Sequence, residues 1–268
     1  PTSRHYISCS VIAGEQDAMQ RDDWYTTSRL ASELNDPATV GRIAAERAVA
    51  RLNGRKVKTG EFPVLFEAPL AAGLLGSLVH AASGGALYRK SSFLLDQLGK
   101  QVMPDFVNIS EQPHILRGLG SASFDSDGVA TKPRSVVANG ILEGYFLSTY
   151  TARKLGMQTT ANAGGSHNLI IQPGALDLGG LLARMGTGLL VTELLGQGIN
   201  YVTGDYSRGA AGYWVENGQI AYPVEEITIA GNLKAMLLGV LAVGNDVQVR
   251  GSKQTGSILI DRMTVAGE

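Results

Sequence analysis

GYWVENGQIAYPVEEITIA, residues 212–230, decides the fold. Aromatic and β-branched residues run into Asn217-Gly218 and resume beyond it. A two-residue hairpin turn of the primed type needs positive φ at both central positions, and Asn-Gly supplies them at low cost. The stretch therefore predicts two antiparallel strands that need little help from the rest of the chain. SVVANGILEGYFLSTY, residues 135–150, repeats the signal at Asn139-Gly140.

Working outward from these hairpins, HYISCSVIA (5–13) alternates as a strand, with DDWYTTSRL (22–30) as its partner. Asp36 is a good helix N-cap and Pro37 suits the first helical position. Val40, Ile43, Ala44, Ala48 and Leu52 follow at helical spacing until Gly54. FPVLFE (62–67) reads as a strand, after which Pro69 opens a helix. On that helix Leu70, Leu74 and Leu78 form a ridge with Leu75 and Val79 beside it. His80 lies on the other side, in line with Gly73, Gly76, Ser77 and Gly84, and Gly84-Gly85 is expected to weaken or end the helix. So bare a side admits another backbone or a ligand.

TARKLG (151–156) and LGGLLARMG (178–186) read as short helices. GLLVTELL (188–195) and GINYVTG (198–204) read as a strand pair, 231–246 as a buried helix or strand, and 256–267 as two short strands. Helices and hairpins come in blocks, not in β-α alternation. The expected class is α+β, with mainly antiparallel sheets and several short helices packed on them.

The chain has 268 residues, 44% hydrophobic and 18% charged, enough for a sizeable core. Lys plus Arg number 23 against 24 Asp plus Glu, so charge offers no argument for nucleic acid or an anionic membrane. The basic run at 51–60 reads as a solvated helix C-terminus. No apolar run reaches the ~20 residues of a membrane helix. The single cysteine, Cys9, cannot form an internal disulfide, which suits a reducing cytosol. The chain opens Pro-Thr-Ser without a methionine, which raises the expectation of a fragment lacking an N-terminal part.

The four histidines are His5, His80, His114 and His167, and no two share a spacing that puts them on one helix face. Ala81 to Gly85 after His80 offer neither a general base nor a second ligand, which favours a core or interface histidine over a metal ligand. His167 sits between a glycine-rich loop and a strand, as a loop contact to a ligand or a plain turn residue. No Gly-x-Ser-x-Gly occurs, and a nucleophile at Ser77 or Ser83 beside His80 has no orienting acid. No Walker or dinucleotide fingerprint is present. Asp205, Tyr206, Ser207 and Arg208 read as a turn leading into small residues. They form either a groove wall that takes a peptide by strand addition, or an Asp–Arg pair feeding a tightly packed hairpin.

GGALYRKSSFLLDQLGKQVMPD (84–105), SFDSDGVAT (123–131), TARKLGMQTTANAGGSHN (151–168), MGTGLLVTELLGQG (185–198), TGDYSRGAAGYWVENG (203–218) and EITIAGNLKAM (226–236) followed by VGND resemble, in this order, the TldD/PmbA family, once labelled modulators of DNA gyrase. They run through nearly the whole chain and together are highly specific for this resemblance, which is close to the PmbA (TldE) branch. The resemblance implies that residues 1–268 are the C-terminal domain of a longer protein whose N-terminal domain is absent from this chain. It also implies a cytoplasmic metalloprotease of two related subunits, active in peptide maturation and protein or peptide degradation. The metal-bearing TldD-type subunit carries His-Glu-x-x-x-His and a distal cysteine. On this chain those positions fall on His80, Ala81 and Gly85, and no cysteine follows Asn245.

Hydrolysis at such a site needs ligands that hold the metal open and a carboxylate that takes a proton from bound water. Positions five apart on a regular helix diverge by about 140°, so the helix must loosen between the two ligands, and glycine permits it. Here the glycines remain without the base or the second ligand, and one imidazole is too weak a site for zinc. The expectation is a non-catalytic subunit that binds no cofactor itself, with zinc in its metal-bearing partner and a peptide or unfolded protein as substrate. Gly84, Gly85, His167 and Asp205 to Arg208 are the candidates for the substrate groove. A homodimer is expected to be possible in isolation. The alternative is a non-proteolytic binding protein or gyrase regulator.

Overall fold

A computed structural model describes residues 2–267. Strands β1 (His5–Ala13) and β2 (Gln20–Ser28) form an antiparallel hairpin on which helix α1 (Pro37–Ala50) packs. Both oxygens of Asp36 accept backbone N–H groups of the first turn, from Ala38 and Thr39 at 3.0 Å. The helix ends at Ala50, short of Gly54, because Asn53 already takes a left-handed conformation at φ 63°.

Next come β3 (Gly60–Phe66), α2 (Ala68–Ala81), α3 (Gly84–Tyr88), β4 (Ile109–Glu111), β5 (Arg134–Ala138), β6 (Ile141–Leu142), α4 (Thr149–Leu155) and β7 (Leu169–Ile171). Helix α5 (Leu178–Met185) precedes β8 (Gly188–Leu195), β9 (Asp205–Glu216), β10 (Gln219–Asn232), α6 (Leu233–Leu238), β11 (Val240–Val243), β12 (Lys253–Gln254) and β13 (Ile258–Ala266).

The larger sheet has the order β10-β9-β8-β3-β13-β11, and a further β10–β13 pairing closes it into a barrel. Its pairs are antiparallel except β3–β8. The smaller sheet, β12-β7-β4-β5-β6, is antiparallel except β12–β7. The class is α+β, as the blocks of hairpins and helices predict. Both Asn-Gly pairs turn hairpins, with Asn217 at φ 51° and Gly218 at φ 75°.

Three expectations change. GINYVTG is a turn region closed by the Gly204 N–H on the Asn200 carbonyl at 2.7 Å, and β8 pairs instead with β9. Asp205 to Arg208 therefore begin a strand. Residues 231–246 hold both a helix and a strand, α6 and β11. The last stretch is one strand, β13, bent by an irregularity between Ile260 and Met263 in its pairing with β3.

A single large core joins Leu74, Leu75 and Leu78 of α2 to Val64 and Phe66 of β3 and Val191 of β8, and extends to Ile109 and Ile171 of the smaller sheet. Helix α5 covers the opposite side of β3 and β8, with Leu181 and Met185 over Leu65 and Leu190. Small residues in β9 serve this packing. A Cβ on Gly212 would lie 1.9 Å from the Leu190 carbonyl oxygen, so only glycine fits.

Candidate functional site

Helix α2 is held at its start from two directions. Asp246, in the VGND stretch, accepts the Ser257 hydroxyl at 2.6 Å and its N–H at 2.8 Å. The Ser257 oxygen then accepts the Ala68 N–H at 3.0 Å, satisfying one of the donors a helix leaves open. Glu67, at the N-cap, is gripped by both terminal nitrogens of Arg47 at 2.7 and 3.0 Å, and Arg47 also donates to Asp22 at 3.2 Å. Burial disfavours the charge on Arg47, but Glu67 and Asp22 outweigh it and hold its pKa above the usual value. This fork ties the first hairpin and α1 to the barrel.

Helix α2 stops at Ala81, and Ser83 is extended at φ −73°, ψ 139°. The helix therefore does break between His80 and Gly85. The break does not use glycine freedom, because neither Gly84 nor Gly85 has positive φ. Instead Ser83 caps α3, accepting the Ala86 N–H at 3.4 Å, and the chain pairs with Phe146 across the gap. Gly84 is there for space: a Cβ would sit 2.3 Å from the Thr151 hydroxyl oxygen on α4. The two glycines begin a helix rather than ending one.

His80 is exposed, contrary to a core histidine, and its ring lies on that of Tyr201 at 4.0 Å and 33°. Ala81 is fully buried and Gly85 half-buried. The Ser77 hydroxyl donates to the Gly73 carbonyl at 3.2 Å, and Ser83 is occupied as a cap, so neither serine is hydrogen-bonded to His80. Among the described residues no three of His, Cys, Asp and Glu come together as a ligand set for a metal ion.

The bare side of α2 faces a cleft. Gly73 and Ser77 look across a cavity of about 190 Å³ at Ile199, Tyr206 and Arg208. A wider cavity of about 370 Å³ adjoins it, with Arg21, Asp22, Arg51, Thr192 and Glu193 on its walls. Leu70 and Leu194 line both. Most charges of the wider part are neutralised locally: Arg51 pairs with Asp22 and Glu193, and Arg21 with Glu193, while the exposed Asp23 on the same wall is in none of the ion pairs among the described residues. Burial pushes the Tyr206 phenol up to about 12, against the opposing pull of the neighbouring Arg208.

The structure thus brings Tyr206 and Arg208 to the helix face that carries Gly73, Ser77 and His80. Asp205 and Ser207 point the other way and are exposed, because alternate strand residues face opposite sides. The expected Asp205–Arg208 pair does not form; Asp205 is bonded to Thr203 at 2.6 Å and Asn232 at 3.3 Å. Strand addition to β9 is closed off too, since β8 and β10 occupy both its edges. His167 lies apart from the cleft. It is buried, its backbone N–H donating to Glu111 at 2.7 Å and its ring Nε2 bonded to the Ala161 carbonyl at 3.0 Å. Glu111 also accepts from Arg134 at 2.7 Å and Asn162 at 2.8 Å. Thr192 and Glu193 were missed in sequence, although a polar pair inside the apolar GLLVTELL was a visible signal.

Comparison with known proteins matches residues 59–267 to the family model described as the PmbA/TldA metallopeptidase C-terminal domain. Residues 1–52 match the central domain of the same family, so the division falls between α1 and β3. The chain is 54% identical over 267 residues to a metalloprotease PmbA homolog of Haemophilus influenzae, covering 99% of this chain. It is 52% identical over 267 residues to metalloprotease PmbA of Escherichia coli O157:H7, covering 100%. In both cases the chain spans 59% of the relative's own length. A crystal structure from Bacteroides thetaiotaomicron, of a protein named for a conjectured modulation of DNA gyrase, superposes with a TM-score of 0.93 at 32% identity. That match covers 99% of this chain and 60% of the other.

Proposed function

This chain belongs to the PmbA/TldD metallopeptidase family, and from that premise we propose that it is part of the metal-free subunit of a two-subunit, cytoplasmic metalloprotease. Its zinc would reside in a related TldD-type partner. This chain would supply one wall of the channel that receives a peptide or unfolded segment for maturation or degradation. The observation that carries the reading is the α2 region. His80 keeps one ligand type, Ala81 stands where the general base would be, and Gly85 stands where the second ligand would be. An imidazole alone neither holds zinc firmly nor activates its water.

The cleft supports the wall role. Helix α2 presents small residues to it, Tyr206 and Arg208 face them, and the polar side chains of the wider part lie where an extended chain could enter. Related subunits tend to meet about a pseudo-twofold axis, which would set this helix near the partner's metal helix. By the same proposal, this chain in isolation would pair with its own copy through the surface built for the related subunit.

The test is cleavage of an unstructured peptide by the full-length protein alone, by its metal-bearing relative alone, and by an equimolar mixture. The expected result is strong, chelator-sensitive cleavage only in the mixture. Equal, chelator-sensitive cleavage by this protein alone overturns the proposal.

A further inference from the structure

Two buried side-chain polar atoms lack a hydrogen-bond partner among the described residues, Thr192 Oγ1 and Arg208 Nε. Both belong to residues that line the α2 cleft, Thr192 its wider part and Arg208 its narrower part, but the two atoms themselves are closed to it, so Arg208 meets the cleft with the accessible remainder of its half-buried side chain. A buried donor without a partner is costly, and more so on a charged group. Elsewhere the chain meets that cost: Arg47, Arg51 and Arg134 each reach a carboxylate. None of the ion pairs among the described residues includes Arg208. Its neighbour is the Tyr206 phenol, which is neutral at ordinary pH and leaves the guanidinium charge uncompensated.

The other cations of the cleft, Arg21 and Arg51, share Glu193 and Asp22. Arg208 is thus the cleft's one cation without an anion among the described residues, and it is half-buried at the narrower end. The guanidinium fork matches a carboxylate with two parallel bonds. A volume of about 190 Å³ exceeds the ~30 Å³ share of a single water several-fold, and the glycine at position 73 leaves the helix wall low.

We propose that the half-buried guanidinium of Arg208 anchors a carboxylate of the bound peptide through its terminal nitrogens. The inference rests on the reading of this chain as a channel wall and adds a preference to it. The carboxylate can come from the peptide's C-terminus or from an Asp or Glu side chain, and the test separates them.

Binding of fluorescent hexapeptides is measured by anisotropy on the full-length protein, alone and with the metal-bearing subunit in a chelator. The peptides are an alanine-rich free acid, its C-terminal amide, and the amide with one internal Asp. At least one carboxylate-bearing peptide should bind about tenfold or more tightly than the neutral amide, as a charge-assisted bond implies. Preference for the free acid identifies the C-terminus as the source, and preference for the Asp peptide identifies the side chain. Arg208→Gln should abolish the discrimination and Arg208→Lys should restore part of it.

Equal binding of acids and amide to the wild type overturns the proposal without any variant. Binding of none of them, in either preparation, also overturns it. Retained discrimination in a folded Arg208→Gln does the same. Because binding is read without turnover, loss of the carboxylate preference is distinguishable from failure of the mixture to cleave.

Discussion

Replacing Glu111 by alanine should destabilise the protein severely while leaving the α2 cleft intact. Glu111 is 1% exposed and accepts three hydrogen bonds, from Arg134, Asn162 and the backbone of His167. It sits opposite Arg134 on one neighbouring strand and Leu169 on the other, at the centre of the smaller sheet. Its removal strands a cation whose side chain is only 17% exposed, together with two buried N–H donors. Breaking a buried pair from one side costs about 3–5 kcal/mol. For a chain of this size that corresponds to a fall in Tm of about 6–20 °C. Glu111→Gln keeps one acceptor oxygen but turns an amide against the guanidinium, so it should lose about 1.5–3 kcal/mol, the worth of a charged hydrogen bond. The double variant Glu111→Ala with Arg134→Met should recover part of the loss, because the uncompensated charge is gone. Calorimetric melts of the four proteins decide the matter. A loss within about 1 kcal/mol for Glu111→Ala, or no recovery in the double variant, refutes the reasoning and reopens a ligand-binding role for His167.

Other outcomes follow from the same geometry. Arg47→Met leaves Glu67 and Asp22 without their shared cation, and the urea midpoint should fall by the equivalent of about 3–5 kcal/mol, with faster proteolysis between α1 and β3. Gly84→Ala drives a methyl group into Thr151, the residue that closes the capping box of α4, and should cost about 1–3 kcal/mol by overpacking; an unchanged melting temperature contradicts the tight contact. The Tyr206 phenol is raised to about 12 in the fold against about 10 unfolded. The folded state therefore favours the protonated form, so this contribution is fully present below pH 10 and is lost as pH rises from 10 through 12. Urea titrations across that window should show a shallower loss for Tyr206→Phe than for the wild type, and an identical slope contradicts the burial. Burial raises Tyr145, Tyr213 and Tyr222 in the same direction, so some alkaline loss persists in the variant.

The legible parts of this sequence were those whose physics is local. Asn-Gly turns, the Asp36–Pro37 start and Gly156 at the end of α4 each act within a few residues, and each stands where its residues predict. Barrel closure depends on pairing β10 with β13 and β3 with β8 across long stretches of chain, and no short pattern encodes it. GINYVTG misled because its apolar spacing suits a strand, yet the polar Asn200 and Gly204 close a turn there. For the site, the bare side of α2 and the Asp205–Arg208 stretch were each visible. That they face one another, and that only alternate members of the second stretch do so, required the sheet. Glu111 carried no signal at all, since its importance lies entirely in three partners brought from other segments.

Metal content after zinc loading tests the central claim most directly. The full-length protein, saturated with zinc and then dialysed without chelator, should retain far less than one zinc per chain by mass spectrometry, and His80→Ala should not change the amount. Retention of one zinc per chain, lost in His80→Ala, would contradict the account.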